Sequence, residues 1–452
     1  MGLSQIIFIV VFGMAFFVAF RQFARIRRNI LLGKPEEIKG NTGARVKNVF
    51  LVAFGQQKMF KRFIPAIFHL FIYVAFIFTQ IELIEIIIDG LGGVHRFFAP
   101  YLGSFYAVII NTIEIISVLA FIATVVFLIR RNILKISRFE KSEMEGWPKL
   151  DANLILLAEI VLLVGIFTMN GSDVLLQEID PAHYSDTGRL FVSSWVGPSL
   201  FGGLSESTLV VLERTGWWIH LVAVLAFLNY LPYSKHLHIL FAFPNTYYAK
   251  LNSRGEMENM PDIMNEVKTM MGLVEDTGEV SEELPEFGAK DIFNLSWKNI
   301  LDAYTCTECG RCTAVCPANL TGKKLSPRKI VMDIRDRATE VGIKLDSGKN
   351  EFKEGPSEEK LSRDNFSDGK SLFDYISREE LHACTTCNAC VEACPVLINP
   401  MEPILKMRRY EILTESAGPS DWVPMFTSIE NSGSVWQVSD DRMKWTEELN
   451  KA

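Results

Sequence analysis

Eight cysteines in two copies of one motif constrain this chain more than any other feature. Each copy reads Cys-x-x-Cys-x-x-Cys-x-x-x-Cys-Pro, and no cysteine is left over. Three cysteines in one tight loop suit three corners of a [4Fe-4S] cubane, and the fourth begins a helix that points at the other cluster. The spacing therefore predicts two clusters with crossed ligands. The predicted ligands are Cys306, Cys309, Cys312 and Cys394 for the first cluster, and Cys384, Cys387, Cys390 and Cys316 for the second.

Two other uses of eight cysteines fit the pattern less well. Four thiolates also suit tetrahedral zinc, but zinc ligands usually come as two separated pairs rather than as three cysteines in one loop. Disulfides are disfavoured because every cysteine falls in ligand spacing and because the motifs are expected on the reducing side of a membrane. Iron–sulfur clusters are the favoured interpretation.

Composition divides the chain into two regions of different class. Of the 452 residues, 49% are hydrophobic, and the long apolar runs end near Phe243, whereas every cysteine lies later. We therefore predict a transmembrane domain at 1–243, a linker at 244–296, a two-cluster domain at 297–412 and a partner-docking tail at 413–452. A helix is expected to begin at Pro327, and the charged segment from Asp346 to Lys370 is expected to be a loop. No basic stripe interleaved with aromatic residues is present, which argues against nucleic acid as a partner.

Five apolar stretches are long enough to cross a hydrocarbon layer of about 30 Å at about 1.5 Å per helical residue. The fourth is short. The first lacks a basic start and a small-residue cleavage site, so we expect a retained anchor rather than a signal peptide. The predicted spans are Leu3–Phe20, Phe63–Ile88, Leu102–Ile129, Ala152–Met169 and Trp217–Leu240.

Basic residues predict the orientation, since Lys and Arg favour cytoplasmic loops. The first loop carries eleven of them, from Arg21 to Arg62, whereas the second carries only Arg96. The third loop is again basic. We therefore expect a multi-pass protein of the inner (cytoplasmic) membrane with its N-terminus outside and its cysteine motifs in the cytoplasm.

Four of the seven histidines fall in or beside the predicted spans: His69, His220, His236 and His238. Histidines within a membrane are rarely idle, and a pair on facing helices can ligate haem. His69 lies about 9 Å from the start of its helix, and His236 and His238 lie at the same inner side. On one continuous helix, His238 would share a face with His220 while His236 pointed away, so His69 with His238 is the favoured pair for a haem b.

A second, outer haem is an open alternative in the sequence. His220 is expected near the outer aromatic belt, beside Trp217 and Trp218. The second span has no histidine at matching depth, so His95 or His183 would have to supply the other ligand. A polar contact between helices explains His220 equally well.

Three carboxylates inside the predicted spans suggest a quinone or proton site. Glu82 and Glu85 share one helix face near the outer end of the second span, and Glu114 lies deepest. The alternative for Glu82 and Glu85 is that they extend to the outer surface.

The membrane half resembles the cytochrome b subunit of respiratory nitrate reductase and the membrane subunit of heterodisulfide reductase, with five spans and histidines on the second and last. The nitrate reductase pattern has two histidines on each of those spans, whereas the second span here has one. The resemblance implies one or two haems b and a quinone. The implied fold is mainly α, a five-helix transmembrane bundle of cytochrome b type followed by a cytoplasmic α-helical ferredoxin-like domain with two [4Fe-4S] clusters.

The segment from Leu231 to His238, the following Pro244-Asn245 and the twin motifs resemble iron–sulfur oxidoreductases related to heterodisulfide reductase. Some members of that group pass electrons between electron-transferring flavoprotein and menaquinone. The tail from Ile429 through Trp436, Asp441-Arg442 and Trp445 is similar to the link that leads, in fused members, into cysteine-rich CCG domains. The resemblance implies a cytoplasmic partner, either a CCG-domain iron–sulfur subunit or electron-transferring flavoprotein, and menaquinone or another quinone as the membrane partner.

The leading hypothesis is thus an electron-transfer subunit that joins quinone, haem b, two clusters and a soluble partner, with no substrate chemistry beyond quinone redox. The chain carries neither a Rossmann glycine fingerprint nor a P-loop. The alternative is a membrane-anchored redox sensor without sustained turnover. A proton or ion carrier that uses Glu114 is the third hypothesis.

Overall fold

The computed structural model describes residues 2–273, 286–347, 362–363, 365–436 and 443–449. Most of the predicted loop between Asp346 and Lys370, and the tail residues Asp441 and Arg442, lie outside these ranges. Within them the chain is mainly helical and contains no β-strand, only a single bridge between Lys34 and Ser296.

Five long helices are, by length and composition, able to cross a membrane. Large apolar side chains such as Phe17, Val108 and Val211 are exposed on the outer faces of these helices. Contact with lipid allows this, because lipid tails are themselves apolar. The predicted number of spans is therefore matched. The helices are α1 (Leu3–Ile30), α2 (Phe63–Gly92), α3 (Ser104–Asn132), α4 (Trp147–Ile179) and α5 (Glu206–Tyr230).

The boundaries of the last two spans differ from the prediction. The fourth span was predicted to be short, but with 33 residues α4 is the longest of the five helices. The helix α5 begins at Glu206, well before Trp217, and ends at Tyr230 because Pro232 cannot continue it. Two 3-10 turns follow, Leu231–Tyr233 and Lys235–Leu237.

The end of α5 overturns the predicted arrangement of the last three histidines. His236 and His238 lie beyond the span, and their rings are neighbours, 5.2 Å apart between centroids and 33° apart in plane. The prediction that His220 and His238 share one face of a continuous helix was wrong for this reason. His220 lies near the middle of α5, one turn from Trp217.

The helices α4 and α5 pack against each other most closely, through glycine. A Cβ atom added at Gly216 would lie 2.6 Å from the backbone nitrogen of Met169 and 2.7 Å from the carbonyl oxygen of Gly165. Small residues allow such backbone contact in membrane bundles. This packing fixes α5, and therefore His220, in the interior of the bundle.

Short helical segments join the long helices. Those between α1 and α2 include a π-helical turn that precedes the start of α2, where His69 lies. The segments are Thr42–Asn48, Val49–Phe54, Met59–Lys61, Ala99–Leu102, Ser137–Phe139, Ser142–Met144 and Ser193–Phe201.

The cysteine motifs lie in a compact helical domain after α5. The helix α6 (His238–Tyr247) leads into it, so the predicted domain boundary at residue 244 falls inside a helix. The other main helices are α7 (Trp297–Thr305), α8 (Pro327–Ser347), α9 (Met401–Arg409) and α10 (Val423–Ser432), and α8 begins at the predicted proline. The remaining helical segments are Pro261–Met270, Ile292–Asn294, Arg311–Ala314, Pro317–Leu320, Leu372–Asp374, Arg378–His382, Ala389–Ala393, Tyr410–Thr414, Ser420–Trp422 and Lys444–Leu449.

The first helix ties this domain to the bundle. Ile26 and Ile30, at the end of α1, belong to the same hydrophobic core as α7 and α8. The Asn29 side chain donates a hydrogen bond of 2.9 Å to the Tyr304 hydroxyl. The cysteine domain therefore lies against the end of the bundle at which α2 begins and α5 ends. We call this the cluster end and the opposite end the far end.

Candidate metal centres

The two cysteine loops repeat each other in backbone geometry. The residue before the second cysteine, Glu308 or Thr386, has a positive φ of +52° or +54°. In both loops its backbone N–H donates to the sulfur of the first cysteine, Cys306 or Cys384, at 3.4 Å. Such N–H groups stabilise negative charge on sulfur and help to set cluster potentials.

The fourth cysteine of each motif lies near the loop of the other motif. The helical turns Arg311–Ala314 and Ala389–Ala393 pack together and bring the two loops side by side. The cysteines in electrostatic contact include Cys394 with Cys309 and Cys312, and Cys316 with Cys384 and Cys390. This placement is the one that crossed ligation requires.

The spacing of the sulfur atoms differs from that of a zinc site. Across the described residues, which include all eight cysteines as free thiols, no three cysteine sulfurs lie within 4.8 Å of one another. Four thiolates at the Zn–S distance of tetrahedral zinc would be about 3.8 Å apart. A cubane places iron and sulfide between its ligands and so separates them further than a single zinc ion does.

Burial favours the protonated form of the thiols Cys306 and Cys394. It raises the pKa of Cys306 and Cys394 to about 12. A metal that binds them must therefore displace protons, and it supplies the charge compensation that the buried thiolates need.

The two loops differ in their surroundings. In the first loop Glu308 and Arg311 are buried against the bundle. In the second loop Cys387 is exposed. The first cysteine loop therefore lies against the segments that join the membrane helices, whereas the second exposes one of its cysteines to the solvent.

Two of the predicted haem ligands have one ring nitrogen held by an oxygen acceptor. Nδ1 of His69 lies 3.0 Å from Oε1 of Gln56. Nδ1 of His238 lies 3.0 Å from the carbonyl oxygen of Lys235. Because both partners only accept, each Nδ1 carries the proton and each Nε2 keeps a free lone pair, which is the form of histidine that binds metal.

The structure brings three of the predicted histidines together at the cluster end. His69 is close enough to His238 and to Arg311 for direct electrostatic interaction, and His236 interacts with both other histidines. Burial lowers the pKa of His236 and of His238, which keeps these imidazoles neutral and able to act as ligands. The ring of His236 packs edge-on against Phe227, at 5.2 Å between centroids.

The other candidates for a second haem are not brought together in the same way. His220 is buried in the bundle, and its Nδ1 has no hydrogen-bond partner in the described part of the chain. Nε2 of His95 lies 3.1 Å from Asp173 at the far end. His183 is largely exposed and lies 2.7 Å from Asp180.

The three carboxylates proposed for quinone or proton chemistry have structural partners or a buried position. Glu85 accepts hydrogen bonds from the Phe98 N–H at 2.8 Å and the Tyr106 hydroxyl at 2.7 Å. Glu82 is buried near Arg96, so the alternative that these two reach the surface was wrong.

Glu114, the deepest of the three carboxylates, has partners on a neighbouring helical segment. Its carboxylate accepts the Val192 N–H at 2.8 Å and also bonds the N–H and hydroxyl of Ser193. These groups lie at the start of the helix Ser193–Phe201, so Glu114 satisfies unpaired N–H groups there.

Four residues at the cluster end were missed by sequence reasoning: Gln56, Lys235, Glu308 and Arg311. None of them is a metal-ligand type in a recognisable spacing. One available signal was the difference between the two motifs, because Thr386 and Ala389 occupy the positions of Glu308 and Arg311.

Comparison with known proteins agrees with this geometry. Residues 305–398 match the family model of the 4Fe-4S dicluster domain. The chain is 29% identical over 442 residues to the probable iron–sulfur-binding oxidoreductase FadF of Bacillus subtilis, which covers 94% of this chain and 58% of that protein. It is 26% identical over 434 residues to an EtfAB:quinone oxidoreductase of Syntrophomonas wolfei, which covers 92% and 56%.

A third relative matches a shorter segment. A probable membrane-anchored ferredoxin of Chromohalobacter salexigens is 30% identical over 175 residues, 36% of this chain and 24% of that protein. No solved structure gives a significant match. The chain spans a little over half the length of the first two relatives. It is therefore similar, over nearly all of its own length, to iron–sulfur oxidoreductases of the electron-transferring flavoprotein:quinone oxidoreductase group, and its residues 305–398 form a 4Fe-4S dicluster domain.

Proposed function

We propose that this chain transfers electrons between a membrane quinone and a soluble redox partner, through haem b and two [4Fe-4S] clusters. The observation that carries the proposal is the meeting of His69, His238 and the first cysteine loop at the cluster end. A haem b held there by the free Nε2 atoms would supply a one-electron carrier beside the first cluster. The relatives named as an iron–sulfur oxidoreductase and an EtfAB:quinone oxidoreductase support the same chemistry.

The two cysteine sites define an order for the electrons. The first site is buried against the histidine-bearing segments, so it exchanges electrons with the membrane part. The second site exposes Cys387, so it exchanges electrons with the partner. We propose a CCG-domain iron–sulfur subunit or electron-transferring flavoprotein as that partner.

We also propose that the cluster end faces the cytoplasm and that the N-terminus lies outside, in the inner membrane of the cell. The basic loops between α1 and α2 and between α3 and α4 support this orientation. An odd number of spans then places the dicluster domain inside. The predicted docking tail includes α10, whose Phe426 and Ile429 remain exposed.

The best-supported quinone site lies at the far end, near but not on the carboxylates that the sequence suggested. A pocket of about 540 Å³ is bounded there by the ends of α1, α2, α4 and α5. It is contiguous with an apolar groove of about 710 Å³ between α4 and α5, since Val210, Arg214 and Trp218 line both. The pocket suits a polar quinone ring, and the groove suits its isoprenoid tail.

The polar groups of this pocket suit quinone chemistry, in which two electrons and two protons convert a quinone to a quinol. Trp217 lines the pocket, is buried, and has an indole N–H without an acceptor among the described residues. That N–H can donate to a quinone carbonyl oxygen. His95, beside Asp173, can exchange protons with the ring oxygens.

His220 lies one turn from Trp217 towards the cluster end, between this pocket and His69. Along α2, His69 is about 30 Å from Asp89, which lines the pocket. We propose His220 as the ligand of a second haem on this path.

Replacing Trp217 with phenylalanine is expected to weaken quinone binding about tenfold, because the ring stays and one hydrogen bond of about 1 kcal/mol or more is lost. The measurement is the binding of a prenylated naphthoquinone to detergent-solubilised protein, followed by fluorescence quenching or photolabelling. The control is Trp218→Phe, which changes a neighbouring tryptophan of the same pocket. Equal affinity in the wild type and in Trp217→Phe would exclude this donor.

The proposed function itself is tested on the whole chain, purified from membranes under anaerobic conditions. We expect about eight cluster irons per chain in addition to haem iron, a haem Soret band, and paramagnetic cluster signals after reduction. A quinol should reduce the clusters, and a soluble acceptor should reoxidise them repeatedly. Zinc without iron would refute the proposal. Cluster reduction by quinol without repeated turnover would indicate a redox sensor instead.

A further inference from the structure

The two cysteine loops share a backbone geometry but differ in several side chains, and two of the differing positions are charged in the first loop and neutral in the second. In the first loop a carboxylate and a guanidinium, Glu308 and Arg311, stand where the second loop has Thr386 and Ala389. Neither charged residue is a cluster ligand. Both are buried, at 3% and 6% exposure, and burying a charge is costly unless it has partners. Their partners are therefore informative.

Glu308 connects the first loop to the segment that carries His238. Its carboxylate forms an ion pair with Lys235 and accepts a hydrogen bond of 2.7 Å from Arg335. The carbonyl oxygen of the same Lys235 lies 3.0 Å from Nδ1 of His238. One residue thus bonds the cluster loop with its side chain and orients a histidine with its backbone.

The position of Lys235 is itself fixed from the membrane side. Its backbone N–H donates to Asp151 at 3.1 Å, and its ammonium donates to the carbonyl oxygen of Pro148 at 2.6 Å. Both acceptors lie at the start of α4. Glu308 therefore contacts a lysine whose backbone and side chain are both held by hydrogen bonds to the start of α4.

Arg311 connects the first loop to the segment that orients His69. Its guanidinium donates to the carbonyl oxygens of Lys58 and Met59, at 3.0 Å and 3.4 Å. The Met59 N–H donates to the carbonyl oxygen of Gln56 at 2.7 Å, and Oε1 of Gln56 lies 3.0 Å from Nδ1 of His69. The guanidinium thus closes the turn from which Gln56 reaches His69.

We propose that Glu308 and Arg311 are positioning residues that join the first cysteine loop to both histidine-orienting segments, so that the loop sets the orientation of His69 and His238. This inference rests on the proposed function for its redox groups. The second loop has Thr386 and Ala389 at these positions and exposes Cys387. Its motif contacts the segment before α2 through Glu392, which pairs with the ammonium groups of Lys58 and Lys61 and orients neither histidine directly.

The test replaces the two charged side chains of the first loop with those at the matching positions of the second loop. Glu308→Thr and Arg311→Ala give the first loop the side chains of the second. We expect both variants to retain full cluster iron, because all eight cysteines remain, but to alter the paramagnetic resonance of the low-spin haem. The rate at which haem reduces the first cluster should fall at least about tenfold, the lower end of the effect of losing a residue that orients a metal ligand.

Conservative variants separate positioning from folding. Glu308→Gln keeps the shape and removes a negative charge, so the first cluster should be reduced more easily, whereas Lys235→Met removes a positive charge and should make it harder to reduce. Arg311→Lys keeps the charge but cannot donate to both carbonyls as the guanidinium does, and it should give an intermediate haem signal. Thr386→Ala in the second loop is the matched control and should leave the haem signal unchanged.

Two results would overturn the inference. The first is a wild-type haem signal in both Arg311→Ala and Glu308→Thr at full cluster occupancy. The second is an equal change of that signal in Thr386→Ala. In either case the unmodified protein would still show quinol-dependent cluster reduction, so the proposed function would stand. Loss of that reduction in the unmodified protein would instead refute the proposed function.

Discussion

Replacing His69 with alanine is expected to abolish the reduction of both clusters by quinol while leaving the clusters themselves intact. His69 is the only histidine of α2, and its Nδ1 is already held by Gln56, so its Nε2 is the donor that α2 offers to a haem. Loss of this ligand should remove the corresponding part of the Soret band and slow quinol-dependent cluster reduction by at least about a hundredfold, since loss of an orienting group alone costs ten- to a hundredfold. Stopped-flow spectroscopy on purified protein measures both quantities.

The same experiment distinguishes the two histidines after α5. His238 has its Nδ1 bonded to the Lys235 carbonyl, whereas the ring of His236 packs against Phe227. We therefore expect His238→Ala to behave as His69→Ala does, and His236→Ala to keep the haem with a shifted spectrum. The largely exposed His183 provides the control for the Soret band, which His183→Ala should leave unchanged. A lost Soret band in His236→Ala together with a normal one in His238→Ala would reverse the assignment.

These assignments show where sequence and structure part. The number of spans followed from apolar length, because a lipid-facing helix must be apolar over about 20 residues whatever its neighbours are. The limits of α5 did not follow, because its first turns contain Glu206, Glu213 and Arg214. Glu213 is buried beside Arg214 in the folded chain, so these charges are compatible with a continuous helix. A hydropathy window treats the same residues as a loop.

The end of α5 illustrates a second limit. Pro232 was a visible break, yet only the folded backbone shows that the chain then turns and places the rings of His236 and His238 beside each other. The prediction that His69 faces this pair depended on depth along the helices alone and therefore agrees with the structure. The choice of His238 over His236 relied on a continuous helix, and that basis is lost because α5 ends before Pro232.

Long-range partners set the third limit. Glu114 looked like a functional carboxylate because it lies deep in a span, but it bonds Val192 and Ser193, which are far from it in sequence. In the same way, Arg311 bonds Lys58 and Glu308 bonds Lys235 across the domain boundary. A single sequence carries no record of such pairs. The cysteine spacing needed none, because each motif supplies three ligands from one loop.

Replacing the fourth cysteine of either motif with alanine is expected to remove the cluster held by the other motif. Cys394→Ala is expected to remove the first cluster and to leave the second, although Cys394 belongs to the second motif. Cys316→Ala is expected to do the reverse. The reason is the placement of Cys394 beside Cys309 and Cys312 and of Cys316 beside Cys384. Each variant should lose about four of the eight cluster irons and one of the two paramagnetic signals.

The two losses should interrupt electron transfer at different points. Without the first cluster, quinol should no longer reduce the second, since we propose that electrons reach the second cluster through the first. Without the second cluster, quinol should still reduce the first, but a soluble acceptor that docks near Cys387 should receive no electrons. Two further variants assign the signals to the clusters. Cys309→Ala removes a ligand of the first cluster from within its loop, and Cys387→Ala does the same for the second. If Cys394→Ala lost the same cluster signal as Cys387→Ala rather than that lost in Cys309→Ala, each motif would hold its own cluster. Crossed ligation would then be refuted.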